Sequence, residues 1–322
     1  MDQEVVLAVD IGGTKISAGL VGSDGQVRGH AAIATPCTEP DISEALRSLL
    51  TSVADGARPR AVGVASAGPI HPQHGTVSPV NIPAWRTFPL VDLVGAVLPE
   101  VPVTLVGDGI AAAVGEHWVG AGRGAAAMLG IVVSTGIGGG LVLDGAPYPG
   151  PSGNAGHLGH TVVDPAGPPC SCGANGCVEA YSSGPSMVQW AREHGWAGPD
   201  ARALAADAAR GEAVALNAFD RGAKALARAI SATTTLCDLD RVVIGGGVSA
   251  AGRVLFTPLR QHLSRLVTLD FARRMTVHPS ALGGHAGLLG AARSALLASQ
   301  DNTPAPARHP RWPACISHKP SA

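Results

Sequence analysis

His160, Cys170, Cys172 and Cys177 fall inside eighteen residues, in the segment HTVVDPAGPPCSCGANGC. Imidazole and thiolate are preferred zinc ligands, and one His with three Cys completes a tetrahedral structural site. Free thiols or a disulfide are the competing readings. The short ligand spacings, and the glycines that let CSCGANGC curl, favour a metal. Four protein ligands leave no open position, so such an ion orders the loop and performs no chemistry. Cys37, Cys237 and Cys315 lack such company and read as ordinary cysteines.

A second chemistry is written in glycine. Three glycine turns follow apolar runs, at residues 10–15 (DIGGTK), 134–140 (STGIGGG) and 245–249 (GGGVS). Backbone N–H groups at such turns can converge on phosphate oxygens, because no Cβ blocks their approach. One such turn is weak evidence, since any α/β protein uses glycine in tight turns. Three at strand ends, the first carrying Asp10 and the second Ser134 and Thr135, are harder to dismiss. Neither a P-loop pattern nor a GxGxxG opening a helix is present, which disfavours both of those nucleotide sites.

A third group could line a pocket for a polyhydroxyl ligand. Asp108 follows the apolar run VPVTLVG, at a strand's C-terminal end, where α/β proteins bind ligands. An Asp at that place also serves as a helix N-cap. His157 and Glu179 flank the metal loop, and Asn81 and Trp85 in VNIPAW could supply an amide and an apolar wall, although a turn Asn and a core Trp are equally ordinary.

These residues need elements to hold them. The runs 4–10 and 16–21 read as strands around the first turn, and QVRGHAAIATP after the Asp24-Gly25 hairpin signal reads as a third. DISEALRSLLTSVADGA has helical spacing, with Asp41 or Ser43 as its cap. The pattern continues with a strand at 60–70, a helix at 91–100, a strand at 101–108 and a helix at 109–121. Strand, glycine turn and strand then recur at 126–145, which predicts a duplicated α/β domain. A helical region at 185–236, a strand at 241–249 and a helix at 285–298 complete the fold. The Pro-rich, polar stretch 299–322 reads as a disordered tail.

Composition narrows the class. The chain has 23 Lys plus Arg against 24 Asp plus Glu, so neither a nucleic-acid coat nor a polybasic membrane anchor is expected. No apolar run approaches the ~20 residues that span a bilayer, and the acidic start MDQE does not open a signal peptide, so a cytoplasmic protein is expected. There are 43 glycines, more than the turns require, and Gly115, Gly120, Gly122 and Gly124 read as compositional background.

Over residues 7–298 the chain resembles the ROK family of repressors, uncharacterised frames and sugar kinases, a branch of the actin-like, hexokinase-like ATPases. The most specific segment is 152–184, with its His-plus-CxCGxxGC signature. DIGGTK resembles the family's first phosphate loop, STGIGGG the second and VVIGGGVS its adenosine-side motif. The resemblance implies a duplicated, ribonuclease H-like α/β fold with two lobes around a cleft. The N-terminal lobe would span 1–118, with helix 285–298 packing back on it, and the C-terminal lobe 119–284, with the zinc loop at 157–179. A homodimer is implied, with no nucleic-acid or membrane partner.

Carried over position by position, Asp108 would be the general base that accepts the proton of a sugar 6-hydroxyl as it attacks the γ-phosphorus of ATP. Gly12, Gly13, Thr14, Lys15, Ser134, Thr135, Gly136, Gly138, Gly139, Gly140 and Gly246 would hold the nucleotide, and Asp10 would orient Mg²⁺. Gly68, Asn81, His157, His160 and Glu179 would fix the sugar, while His160 and the three cysteines hold structural Zn²⁺. Two departures stand out. The family's G-E-x-G-H reads here Gly156-His157-Leu158-Gly159-His160, as in the bacterial N-acetylmannosamine kinases of sialic acid catabolism, which carry AGHxGHT and DPxGPxCxCGxxGCVEA. This implies O6 phosphorylation of N-acetyl-D-mannosamine. The family's Asn-Asp reads Gly107-Asp108, which removes one hydrogen bond to the sugar and keeps glucokinase and N-acetylglucosamine kinase open. A sugar-responsive repressor of the same family needs a helix-turn-helix ahead of the first turn, and residues 1–9 leave no room for one. A non-catalytic sugar sensor would be distinguished by the absence of ATP turnover.

Overall fold

The computed structural model describes residues 4–36, 38–79, 82 and 85–300. The first half runs β1 (Val5–Ile11), β2 (Lys15–Gly22), β3 (Val27–Ala34), α1 (Glu39–Ala54), β4 (Val62–Ser66), a small hairpin of β5 (Ile70–His71) and β6 (Thr76–Val77), α2 (Leu90–Val97), β7 (Val103–Gly107) and α3 (Asp108–Val119). The second runs β8 (Ala127–Val133), β9 (Ile137–Leu143), β10 (Ala146–Tyr148), α4 (Glu179–Ser182), α5 (Gly184–Glu193), α6 (Ala201–Ala209), α7 (Ala213–Cys237), β11 (Arg241–Gly245), α8 (Arg253–Leu266), β12 (Thr276–Pro279) and α9 (Ala286–Gln300).

Two five-stranded sheets repeat one plan, in the orders β3-β2-β1-β4-β7 and β10-β9-β8-β11-β12. In each, an antiparallel meander joins a parallel trio: β1 is antiparallel to β2 and parallel to β4, as β8 is antiparallel to β9 and parallel to β11. This is the duplication that the repeated glycine turns predicted. Among the described residues no helix is long and apolar enough to cross a membrane.

Strand alternation decides which side chains meet the cleft. In β1, Leu7, Val9 and Ile11 enter one core with Ile42, Leu46 and Leu50 of α1 and Leu90 of α2. Val6 and Ala8 face the other way, into a core with Leu288, Leu289 and Leu296 of α9. Asp10 continues that second face at the end of the strand and therefore emerges beside the start of α9. A side chain at Gly287 would collide with its carboxylate.

Helices α3 and α9 pack face to face between the two sheets, α9 against β1 and β4 and α3 against β8 and β9. The crossing is backbone on backbone. A Cβ at Gly115 would strike the carbonyl of Ala286, and one at Gly290 the carbonyl of Ala111. Gly115 is therefore not compositional background, because the helix approach excludes any side chain there.

Other boundaries also differ from expectation. The cap of α1 is Thr38, whose Oγ accepts from the Asp41 N–H, ahead of both expected positions, Asp41 and Ser43. Helix α9 continues through Gln300, into the first two residues of the expected tail, because no helix breaker intervenes. The rest of that tail, 301–322, lies outside the described residues, as do Cys37 and Asn81.

Candidate active site

A cleft of about 290 Å³ opens between the halves, lined by Gly68, Gly107, Asp108, Gly109, Ile110, Gly138, Gly139, Gly153, Asn154, Ala155 and His157. Five residues predicted from the sequence meet here: Gly68, Asp108, Gly138, Gly139 and His157. Asp108 is the first residue of α3, with Gly107 in the cap position, so it does not serve as the N-cap. Its Oδ1 accepts the Gly109 N–H at 2.7 Å. Burial raises its proton affinity, against the opposing pull of that N–H and of His157 across the cleft. A carboxylate with raised proton affinity, open to a cleft, is suited to general-base work.

His157 has a defined tautomer. Its Nδ1 lies 2.9 Å from the carbonyl of Asn154, which can only accept, so Nδ1 carries the hydrogen. With that hydrogen on Nδ1, a deprotonated ring offers Nε2 as the acceptor, 3.6 Å from the point where a side chain on Gly68 would stand. That acceptor suits a ligand hydroxyl or N–H.

The glycine turns are built alike. In the first, the Gly12 N–H bonds the Lys15 carbonyl at 2.9 Å, and Thr35 Oγ1 donates to the Gly12 carbonyl at 2.8 Å. Both backbone groups of Gly12 are thus spent inside the turn, while the N–H groups of Gly13 and Thr14 have no backbone partner among the described residues. In the second, the Ser134 N–H bonds the Gly136 carbonyl at 2.9 Å, and the N–H groups of Thr135 and Gly136 are left in the same way. The third turn joins the second: Gly246 takes φ 87° with its Cα against the Val133 backbone, and Gly247 lies beside Ser134. Gly140, expected to contact nucleotide, is instead covered by the Gly109 and Ile110 backbone of α3. Its missing side chain serves helix-on-strand packing. Gly139 is wedged likewise between Gly156 and Gly130, with only one flank on the cleft.

Burial pushes the carboxyl of Asp10 up to about 6; the Asp108 carboxylate adds to the rise and Lys15 opposes it. A buried acid short of positive charge beside a second acid fits a divalent cation. Glu179, predicted to touch sugar, opens α4 and accepts the Ile137 N–H at 2.7 Å, so one of its oxygens braces the second turn. Trp85 is fully buried and stacked on Phe88 at 4.2 Å; it belongs to the core and forms no pocket wall.

The metal-ligand types also converge. Ligand atoms of His160, Cys170, Cys172 and Cys177 lie within 4.8 Å of one another. His160 Nδ1 is 3.6 Å from the Cys170 sulfur, and the Cys172 and Cys177 sulfurs are 3.7 Å apart. A tetrahedral ion with Zn–S bonds of about 2.3 Å spaces its sulfurs about 3.8 Å apart, so the donor set and its spacing fit. Burial, with the neighbouring thiols, pushes the Cys177 thiol up to about 12, whereas the Ala174 N–H holds Cys172 down. A cation is what would allow all three thiols to ionise.

Asn154 was not anticipated. Its Oδ1 accepts from the Ile70 N–H at 3.1 Å and its Nδ2 donates to the Ile70 carbonyl at 2.9 Å. An Asn after a glycine, in SGNAG, reads as a turn residue, so nothing in the sequence marks it.

The profile of the ROK family matches residues 6–299. The chain belongs to the ROK family. Among its relatives, it is 38% identical over 295 residues to an N-acetylmannosamine kinase of Escherichia coli O139:H28, covering 89% of this chain and 96% of that one. It is 36% identical over 305 residues to a glucokinase of Thermotoga maritima, with the same coverage. A solved ROK glucokinase of Streptomyces griseus, in complex with glucose and AMPPNP, superposes with a TM-score of 0.80 at 32% identity, covering 91% of this chain and 99% of that one. The two-sheet architecture of this ROK protein is thus the actin-like ATPase fold.

Proposed function

We propose that this ROK-family sugar kinase transfers the γ-phosphoryl group of ATP to the 6-hydroxyl of N-acetyl-D-mannosamine. The observation that carries the reading is His157. It stands where the family has Glu, has its hydrogen on Nδ1, and presents Nε2 to the cleft opposite Asp108. An imidazole acceptor there replaces a carboxylate's charge, which favours a neutral acylamino or hydroxyl donor. The similarity to the Escherichia coli N-acetylmannosamine kinase supports the same sugar.

In this reading Asp108 accepts the proton of the 6-hydroxyl as its oxygen attacks phosphorus, and its raised proton affinity helps it do so. The free N–H groups of Gly13, Thr14, Thr135 and Gly136 hold phosphate oxygens, and Gly246 faces the adenosine side. Asp10 would hold Mg²⁺, which when bound neutralises phosphate charge. Closure of the cleft mouth around the sugar excludes water. His160, Cys170, Cys172 and Cys177 would hold zinc, which orders residues 157–179 and thereby His157. Exhaustive chelation should lower Tm and raise the sugar KM while leaving the ATP KM unchanged; an unmoved Tm would count against a structural ion.

A glucokinase is the second reading, supported by the Thermotoga maritima relative; Gly107, which lacks the amide expected beside the base, does not discriminate between the two sugars. A coupled ADP-release assay across N-acetylmannosamine, N-acetylglucosamine, glucose and mannose separates the two. N-acetylmannosamine should lead in kcat/KM by at least roughly tenfold. Comparable turnover of glucose would overturn the choice of sugar.

A further inference from the structure

Among the contacts that join the halves, two bear on the cleft. Beneath it lies the seam of α3 and α9. Across its mouth the loop between β10 and the metal segment reaches β5 of the first half. That loop closes on itself through the Ala155 N–H to Pro149 carbonyl bond at 2.9 Å. Gly153 then packs against Pro72, where a side chain would collide with the ring. Next to it the Asn154 carboxamide pairs with both backbone groups of Ile70, as a neighbouring strand would, and its Nδ2 also bonds the Ser152 carbonyl at 2.9 Å. One residue therefore crosses the mouth with a donor and an acceptor together.

The same residue touches both sugar-side groups. Its backbone carbonyl fixes the tautomer of His157, and its Oδ1 lies 3.7 Å from the point where a Gly68 side chain would stand. Sugar must pass this mouth to reach Asp108. We propose that Asn154 is a latch and positioning residue: its carboxamide pairs with Ile70 to close the cleft mouth, and closure sets His157 and Gly68 around the sugar. The latch governs how tightly sugar is held and leaves the phosphate turns untouched, since none of its bonds reaches them. The inference rests on the sugar-kinase reading but not on which hexose is preferred.

The test is steady-state kinetics of Asn154→Ala and Asn154→Asp, on whichever sugar the wild-type enzyme turns over best. Loss of the two hydrogen bonds to Ile70 predicts a rise of roughly tenfold or more in sugar KM, with ATP KM and kcat changed less than about threefold. Asn154→Asp should be the worse variant, because it sets a carboxylate against the Ile70 carbonyl. In a His157→Ala background, Asn154→Ala should add less than about threefold, because the latch acts largely through that ring. A sugar KM within twofold of wild type, an equal loss toward ATP, or full additivity with His157→Ala would overturn the latch. If Asn154→Ala proves unstable, the near-isosteric Asp variant carries the test. Loss of Tm in both variants, with both substrates affected alike, would make Asn154 a scaffold residue and overturn the proposal. A wild type that ignores N-acetylmannosamine but phosphorylates glucose would refute the substrate assignment and leave the latch to be tested on glucose.

Discussion

The two strand-turn-strand units are near copies in backbone and opposites in electrostatics. Each spends one N–H on its own closure and leaves two adjacent N–H groups for a ligand. The first carries an acid on its own strand, Asp10, which is left short of charge and whose carboxyl is pushed up to about 6. The second has none of its own and borrows Glu179 from forty-two residues away, as a brace on the Ile137 N–H. A repeated glycine turn, here proposed to bind phosphate, can thus be specialised by where its carboxylate comes from. An acid built into the strand stays available to a cation, whereas one brought in from a helix is used for support.

Replacing Asp108, which faces both units, has the largest expected effect. Asp108→Asn should lower turnover by about 10²–10⁴-fold with Tm retained; near-normal turnover would remove it as the base. Asp10→Asn comes next and sharpens the contrast, since activity should fall by about 10²-fold or more while metal-free stability rises. The sign follows from the raised carboxyl. Above pH 6 the folded protein carries an ionised Asp10 that it disfavours, and the penalty fades as pH falls through about 6 toward 3.8. The gain in Tm from Asn should therefore be present at pH 8 and absent near pH 4. Glu179→Ala should do the reverse, costing about 1–3 kcal/mol for the orphaned Ile137 N–H and raising ATP KM more than sugar KM. A stabilised Glu179→Ala variant would erase the distinction between the turns. The smallest effect belongs to Gly107→Asn. A Cβ there meets only Ile110 Cδ1, at 3.9 Å, so the amide fits and should lower sugar KM by roughly two- to fivefold.

Much of this was legible in one dimension. Apolar runs ending in glycine located β1, β8 and β11, and the repeat of the motif predicted the repeat of the sheet. The His and Cys spacing assembled the metal cluster without help from the rest of the chain. What escaped notice depends on contacts that spacing cannot carry. The hairpin of β5 and β6 has two residues per strand, too few for a period to register. Helix α8 contains Pro258, which argues against a helix when read locally. In sequence Gly115 reads as background and Gly140 as a turn former, because only the folded chain shows the backbone that each one meets. Asn154 has the same cause: its partner, Ile70, is eighty-four residues away.

The glycine seam also bears on how such an enzyme changes over generations. Helix α3 meets the second sheet through Gly109, Gly139 and Gly140, and meets α9 through Gly115 and Gly290, with no yielding side chain between. Asp10 lies against α9 at Gly287, and Asp108 lies beside β9 at Gly138, with its neighbour Gly109 against Gly139. Asp108 and the first two glycine turns therefore hang on a backbone seam in which a side chain at Gly109, Gly115, Gly139, Gly140, Gly287 or Gly290 would clash. The mouth, where Asn154 meets Ile70 beside Gly68 and His157, lies outside that seam. On the proposed function, mutation can redraw which sugar enters while the phosphate-binding turns stay where they were.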